Sequence, residues 1–275
     1  MPELPEVETV RRRLAPLLEG ATIARAEILD PRLTRPVPPA LVADALVGER
    51  VASVERRGKY LLCRLESGRT LVVHLRMTGS LRHAPAGELP DDAYRRALLR
   101  LDTGADLGYR DVRRFGTWEL LDEGHLRPYL AARVGPEPLG ASFTAARMGR
   151  ILAGRRAPIK AVLLDQRRVA GIGNIYADEA LWRARIHPRR PAGGLVPDEV
   201  VRLHRAVRAA LRRGIELQGS TLRDYVTPDG GDGSMQHEFH VYGRRGEPCD
   251  RCGSSVERTV VAGRGTWFCP QCQMA

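Results

Sequence analysis

Residues 249–272 read CDRCGSSVERTVVAGRGTWFCPQC, so two Cys-x2-Cys pairs are separated by 16 residues. This spacing is typical of a zinc site, because zinc takes four thiolates in a tetrahedral arrangement. The segments VERTVVA and GTWFC, joined at Gly263, would form a β-hairpin that brings the pairs together. Two disulfides are the alternative, which the regular spacing disfavours. The pattern predicts one structural Zn2+ held by Cys249, Cys252, Cys269 and Cys272.

Upstream of this hairpin the chain divides into a β-rich part and a helical part. Short apolar runs between residues 21 and 121, separated by Gly, Pro and Asp, predict an antiparallel sandwich or barrel, with Cys63 buried in one strand. A first helix precedes them and ends at Gly20. The stretch VGPEPLG at 134–140 predicts a linker, and the segments after it have helical periodicity. Residues 219–236 are polar and Gly-rich, which predicts a long irregular loop.

The charge of the chain indicates a polyanionic partner. Its 275 residues include 44 Lys+Arg and 33 Asp+Glu, for a formal net charge of +11. A nucleic acid fits this charge better than a membrane surface, since no basic amphipathic helix with an aromatic face is evident. No apolar run approaches the length of a membrane span, and the start MPELPEVETV is unlike a signal peptide, so we expect a cytoplasmic protein. Only Lys59 and Lys160 are lysines; the other basic residues are arginines.

The first residues and Lys59 are candidates for chemistry. Removal of Met1 would expose Pro2 as a secondary amine, and an α-amino group with a pKa near ~7.7–8.0 is partly neutral and can act as a nucleophile. Glu3 and Glu6 could transfer protons beside it. The alternative is an ordinary Met-Pro start with glutamates that favour the helix dipole. Lys59, at the start of a strand, is either a solvated charge or a group that can give up a proton, which arginine does not do.

Two further segments favour contact with a nucleic acid. The glycine-rich turn in GIGNIYADEAL places Asn174 at the start of a helix, where it could cap the helix or help to bind a phosphate, with Arg156 nearby in the sequence. In RDVRRFGTW, Phe115 is surrounded by arginines. That side chain could pack inward from a strand, or it could be a wedge that enters a base stack.

Eight segments, taken in their order, resemble the formamidopyrimidine-DNA glycosylases. They extend over essentially the whole chain: PELPEVETV, GKYLL, HLRMTGSL, DVRRFG, VGPEPL, GIGNIYADEAL, VYGRRGEPC and GRGTWFCPQCQ. The sister branch, endonuclease VIII, shares this layout, but the start PELPEVETV is similar to the formamidopyrimidine branch.

The resemblance implies a bifunctional DNA glycosylase/AP lyase of base excision repair that removes oxidised purines, such as 8-oxoguanine and formamidopyrimidines, from damaged duplex DNA. By this similarity Pro2 forms a Schiff base with the sugar, Glu3 is the general acid/base and Glu6 a supporting carboxylate. Lys59 binds phosphate and donates a proton in β-elimination, and Arg264 clamps a phosphate and is linked to δ-elimination.

The resemblance also implies DNA contacts. Met77, Arg113 and Phe115 would fill the gap left by the extruded nucleotide, while Arg156 and Asn174 would contact phosphates. Many relatives carry a histidine near DNA where this chain has Tyr94-Arg95-Arg96, so that contact is not carried over. The loop 219–236 lacks an aromatic residue that some relatives have, which leaves the lesion preference open.

The combined prediction is an α+β protein that acts as a monomer. A catalytic antiparallel β-sandwich with flanking helices would occupy 1–133, a linker 134–140, a helix-two-turn-helix domain 141–236 and a zinc finger 237–275. The alternatives are an endonuclease VIII-like enzyme for oxidised pyrimidines and a non-catalytic zinc-containing DNA-binding protein. Pro2, Glu3, Lys59 and Arg264 together favour the enzyme, because only catalysis requires all four. Lys160 has no predicted role.

Overall fold

The computed structural model describes residues 2–274, which form two compact units. One unit contains the chain through Ala131 together with Leu217–Ser234, and the other contains Ala132–Glu216 and continues from Met235. Residues 217–234 therefore fold with the β-rich part of the chain, although the sequence analysis assigned them to the helical domain. The separation of a helical domain from a zinc finger stays a prediction, since the second unit contains both segments.

The first unit contains two four-stranded antiparallel sheets, which confirms the predicted sandwich. In one sheet three strands that are consecutive in the sequence lie side by side, whereas the other sheet begins by pairing strands that are far apart in the sequence. The first sheet has the order β1 (Ile23–Ile28), β6 (Arg95–Leu101), β7 (Ala105–Asp111), β5 (Gly79–Pro85), and the second has the order β2 (Val51–Arg57), β3 (Tyr60–Leu65), β4 (Thr70–His74), β8 (Thr117–Leu121).

Both sheets contribute side chains to one apolar core. In β6, Ala97, Leu99 and Leu101 are buried at alternate positions, which is the period of a strand with one face toward the core. Trp118 on β8 and Cys63 on β3 belong to the same cluster. Burial raises the pKa of the Cys63 thiol to about 12, so this cysteine is an inert core residue, as the sequence predicted.

Three helices accompany the sandwich. Helix α1 (Leu4–Leu18) packs on β2 and β3, α2 (Pro39–Leu46) packs on β1, and α3 (Glu123–Arg133) follows β8. Helix α1 begins with a capping box, since the Glu6 carboxylate accepts a hydrogen bond from the backbone N–H of Glu3 at 2.8 Å. The two acidic residues expected at this helix start therefore have a defined structural use.

The second unit contains four helices and one hairpin within the described residues. They are α4 (Ala145–Leu152), α5 (Ile159–Leu164), α6 (Asn174–Ala184), α7 (Pro197–Glu216), β9 (Glu257–Val261) and β10 (Arg264–Phe268). Helix α6 packs against α5, α7 and β10. Among residues 2–274, no helix combines the length and apolar character that a membrane crossing requires.

Lys160 is completely buried in the second unit. Its ammonium lies 2.7 Å from the Asp178 carboxylate and donates to the carbonyl of Gly265 at 3.0 Å and the hydroxyl of Thr266 at 2.7 Å. Asp178 also accepts from the backbone N–H of Trp267 at 3.0 Å. This ion pair joins α5 and α6 to β10, and it explains the lysine that the sequence left without a role.

We expect Lys160→Met to destabilise the second unit by about 3–5 kcal/mol, because it leaves the Asp178 carboxylate buried without its cation. Lys160→Met/Asp178→Asn should recover part of this loss, since asparagine is neutral and can still accept from Trp267. Urea unfolding followed by tryptophan fluorescence measures both effects. Equal stability of Lys160→Met and the unchanged protein would contradict this account.

Candidate functional site

Pro2, Glu3 and Glu6 lie together at the start of α1, and all three are buried. Met1, whose removal was expected to expose the Pro2 amine, lies outside the described residues. The capping box holds Glu3 and Glu6 against each other. The structure therefore places these three predicted site residues in one small region of the first unit.

The segment 217–234 holds Glu6 from the other side. One Glu6 oxygen accepts from the backbone N–H of Ser220 at 2.9 Å and from its hydroxyl at 3.3 Å. Gly219, which has a φ of +82°, lies so close that an added Cβ would be 2.7 Å from the Glu6 side chain. Both features fix the direction of the Glu6 carboxylate. The segment that was expected to be an irregular loop thus contacts Glu6, one of the predicted site residues.

Lys59 is also buried in the first unit, directly after Gly58, which has a φ of +57°. Arg56 connects the turn before Lys59 to α1. Its guanidinium donates to Glu8 at 3.1 Å and to the carbonyl of Gly58 at 2.9 Å. The helix that begins after Pro2 and Glu3 is therefore bound to the turn that carries Lys59. Glu8 and Arg56 were not among the predicted site residues, because a Glu at a helix start and an Arg on a strand have no distinctive pattern.

His74 is a neutral neighbour of Lys59. Burial, together with the nearby charges of Arg76 and Lys59, lowers the pKa of His74 to about 3. Its Nδ1 accepts from the backbone N–H of Arg76 at 3.0 Å, and its ring contacts Tyr60 edge-on. The imidazole therefore adds no positive charge beside the lysine at neutral pH.

Met77, Arg113 and Phe115 lie on two loops of the first unit. Met77 is half-buried after β4, whereas Phe115 is 52% exposed between β7 and β8. The Arg113 guanidinium lies over the Phe115 ring, 4.7 Å from its centre. Phe115 therefore does not pack inward, which excludes one of the two readings of this segment.

Asn174 contacts the residue next to Arg264 in the second unit. Arg264 is exposed as the first residue of β10, and the Asn174 amide donates to the carbonyl of the next residue, Gly265, at 2.9 Å. The helix cap is Gly173, so the expectation that Asn174 caps α6 is wrong. Its side-chain amide donates to β10 instead. Lys160 donates to the same Gly265 carbonyl, so two side chains position the backbone next to Arg264.

The remaining predicted contacts are surface residues. Arg156 is exposed in the loop between α4 and α5. Tyr94, where the expected histidine is replaced, is 43% exposed, with the guanidinium of Arg110 lying 5.1 Å from its ring centre and that of Arg96 5.8 Å away. This part of the sandwich is therefore an aromatic ring flanked by arginines.

The four C-terminal cysteines are free thiols that form one cluster, with all four sulfurs within 4.8 Å of one another. Around a tetrahedral zinc with bonds of about 2.3 Å, sulfur atoms are separated by roughly 3.8 Å, so the cluster fits this ion. The indole N–H of Trp182 donates to Cys249 at 3.3 Å, an interaction that favours a thiolate. Four protein ligands close the site, which is the arrangement of a structural zinc.

Asp178 and Glu179, two adjacent buried carboxylates of α6, bind the β9–β10 hairpin and the residues that precede the first cysteine pair. Asp178 holds β10, as described above. Glu179, fully buried, accepts from the backbone N–H groups of His240, Val241 and Tyr242 at 3.0–3.1 Å. Sequence reasoning missed both residues. The available signal was the pair of acids in an otherwise apolar helix, where a charge must find partners.

Comparison with known families supports these observations over almost the whole chain. The formamidopyrimidine-DNA glycosylase N-terminal domain matches residues 1–118, and the H2TH domain of the same glycosylases matches 134–226. A zinc finger found in FPG and IleRS matches 246–274.

The chain belongs to the formamidopyrimidine-DNA glycosylase family. It is 48% identical to the formamidopyrimidine-DNA glycosylase of Heliobacterium modesticaldum, with 99% of this chain and 100% of the relative covered. Two crystal structures of the Lactococcus lactis enzyme, each 39% identical with a TM-score of 0.93, also match. One is a mutant bound to DNA containing Fapy-dG, with 100% of both chains covered, and the other is bound to abasic-site DNA, with 99% of this chain and 100% of the other covered.

In this member of the formamidopyrimidine-DNA glycosylase family, the Glu8 carboxylate, which contacts Arg11, Arg12 and Arg56, should make stability depend on pH. Burial raises the pKa of Glu8, but hydrogen bonds from Arg11 and Arg12 outweigh burial and lower it from 4.5 to about 2. Because the folded-state value is the lower one, the stabilisation is complete above about pH 4.5 and is lost as the pH falls toward about 2.

We expect Glu8→Gln to cost about 2 kcal/mol at neutral pH, and the difference from the unchanged protein should narrow below about pH 4.5. Urea unfolding at several pH values measures it. Glu27→Gln is the matched control, since Glu27 pairs with Arg25 on the surface and should contribute under about 1 kcal/mol. A constant difference across this pH range would refute the assignment.

Proposed function

We propose that this protein is a bifunctional DNA glycosylase/AP lyase of base excision repair, which removes oxidised purines from damaged duplex DNA and then cuts the strand. The observation that carries the proposal is the buried group of Pro2, Glu3 and Glu6 at the start of α1, in a chain of this family. Relatives bound to DNA containing Fapy-dG or an abasic site support the substrate class. A DNA substrate agrees with the net charge of +11 and with a cytoplasmic location.

Pro2 is the proposed nucleophile. After removal of Met1 its secondary amine would attack C1′ of the damaged nucleotide and lose its proton, and the base would leave with the bond electrons and a proton. Cleavage of the C1′–O4′ bond, with protonation of O4′, would then open the sugar ring and leave an iminium. The helix start places this amine next to Glu3, whose carboxylate could accept its proton.

The carboxylates have different proposed tasks. Glu3 transfers protons at the sugar and the departing base. Glu6 is held by the Glu3 backbone and by Ser220, so its task is to orient the start of α1. Both Glu6 oxygens accept backbone hydrogen bonds, one from Glu3 and one from Ser220, which suits this carboxylate to positioning.

Elimination follows from the iminium, which acidifies the C2′ proton. Loss of that proton expels the 3′ phosphate in β-elimination, and loss of the C4′ proton expels the 5′ phosphate in δ-elimination. Lys59 is the proposed proton donor and phosphate ligand of the first step, and Arg264 the phosphate ligand of the second. Both are cations, as a departing phosphate requires.

The zinc cluster has a structural task in this proposal. Cys249, Cys252, Cys269 and Cys272 would hold the ion, which stabilises the module that carries β9 and β10. Arg264, Asn174 and Arg156 would contact phosphates, and Met77, Arg113 and Phe115 would fill the space of the extruded nucleotide, whose C1′ is inaccessible inside a stacked duplex.

Borohydride trapping tests the covalent step. Incubation with duplex containing 8-oxoguanine, followed by borohydride, should yield a covalent protein–DNA adduct, and Pro2→Gly should reduce its yield. Pro39→Gly, the same change at the first residue of α2, is the matched control and should leave the adduct intact. No adduct with the unchanged protein would favour a DNA-binding role without catalysis. A parallel duplex with thymine glycol tests the endonuclease VIII-like alternative.

The phosphate contacts predict a change in salt dependence. Arg264→Ala and Arg156→Ala should each reduce the slope of log affinity against log salt by about 1, because each removes one phosphate contact. Arg25→Ala, which removes a surface arginine paired with Glu27, should leave the slope unchanged. Fluorescence anisotropy with a labelled duplex at several salt concentrations measures it, and equal slopes for all three variants would place Arg264 and Arg156 away from the phosphates.

A further inference from the structure

We propose that Asp111 is a positioning residue for base extrusion, which holds the loop of Met77 and the loop of Arg113 and Phe115 in one fixed arrangement. This inference rests on the proposed function, in which these three side chains fill the space of the extruded nucleotide. Asp111 touches neither the sugar nor the base in this proposal. It acts through the residues that enter the stack.

Asp111 is the last residue of β7 and is 1% exposed. One oxygen of its carboxylate accepts from the hydroxyl of Thr78 at 2.5 Å and from the backbone N–H of Arg113 at 3.2 Å. The other oxygen accepts from the backbone N–H of Gly116 at 2.7 Å. Thr78 directly follows Met77, and Gly116 directly follows Phe115. A single buried carboxylate therefore binds Arg113 itself and the residues that directly follow Met77 and Phe115.

Tyr109, two residues earlier on β7, packs against the ends of both loops, at Gly79 and at Gly116. Its hydroxyl would lie 2.4 Å from a Cβ added at Gly79 and 1.7 Å from one added at Gly116. Only glycine fits at these two positions, and they are the points where the two loops meet the sheet. Burial, followed by the charge of Asp111, raises the pKa of Tyr109, so the phenol stays protonated beside the carboxylate.

A second contact restrains the loop that carries Arg113 and Phe115. Arg114 has a φ of +59° and directs its guanidinium to the buried Asp30, with one N–H at 2.8 Å from the carboxylate. With Arg114 held on one side and Asp111 holding both ends of the loop, Arg113 and Phe115 remain on the outside as a stacked pair. A wedge that is ordered before it meets DNA loses less conformational freedom when it enters the stack.

Two variants separate this role from general stability. Asp111→Asn keeps the shape of the side chain but replaces one acceptor oxygen with an NH2 group, so the side chain can accept from Thr78 or from Gly116 but not from both. Thr78→Val removes the hydroxyl that donates to Asp111 and also accepts from the backbone N–H of Arg113 at 3.0 Å. The matched control is Asp106→Asn, because Asp106 is a buried carboxylate on the same strand that holds Arg100 and the backbone of Gly87 instead.

The readout compares two substrates in single-turnover reactions. For duplex with 8-oxoguanine paired to cytosine, Asp111→Asn and Thr78→Val should lower the excision rate by about tenfold, the factor that corresponds to about 1.4 kcal/mol. For the same duplex with a preformed abasic site, where no base has to be extruded, the rate of strand cutting should change by less than about threefold. Fluorescence of 2-aminopurine next to the lesion should rise more slowly in both variants, whereas Asp106→Asn should leave the rate ratio unchanged.

Equal losses on the two substrates, or a rate ratio for Thr78→Val that equals that of Asp106→Asn, would overturn the inference. Circular dichroism shows whether Asp111→Asn folds. If it does not fold, Thr78→Val still tests the inference. Failure of the proposed function has a different signature, since the unchanged protein would then neither excise 8-oxoguanine nor form a trapped adduct.

Discussion

A carboxylate buried in a protein must have its oxygens hydrogen-bonded, and in both units this requirement fixes backbone outside the main sheets and helices. Glu6 binds the segment 217–234, Asp111 binds two loops, and Glu179 binds the stretch 240–242. Asp178 binds β10 together with Lys160. In each case the acid lies on a helix or strand, and the backbone that it holds has no regular structure or belongs to a two-stranded hairpin. Regular elements thus position the loops through side-chain acceptors.

Much of the architecture could be predicted from the sequence, because most elements follow ordinary periodicity. The zinc hairpin, the first helix and the strands with alternating apolar residues are of this kind. Strand β7 has a weak sequence signal, because Asp106, Gly108 and Asp111 interrupt its apolar pattern. Both acids are buried and paired in the structure. Periodicity cannot distinguish a buried acid with a partner from a solvated one, so a strand that carries two of them is easily mistaken for a loop.

The roles of the site residues stay predictions from the sequence, and the contacts that support these residues could not be predicted from it. The positions of Pro2, Glu3, Lys59 and Arg264 came from a resemblance, whereas Arg56, Ser220 and Asp178 have no sequence signature of their own. Lys160 illustrates the difference. An ammonium has three donors, and here they reach a carboxylate, a carbonyl and a hydroxyl. A planar guanidinium with five donors has a different shape, which explains why an arginine-rich chain uses lysine at this point.

The return of the chain to the first unit at 217–234 has a consequence for biosynthesis. Residues through Ala131 leave the ribosome long before Ser220, yet Ser220 is the partner that completes the surroundings of Glu6. The β-sandwich can therefore collapse early during translation, but the N-terminal group is finished only after α7 has been made. A nascent chain that stops before this segment would have a folded sheet layer and an incomplete site, so the order of synthesis delays assembly of the proposed catalytic centre until most of the protein exists.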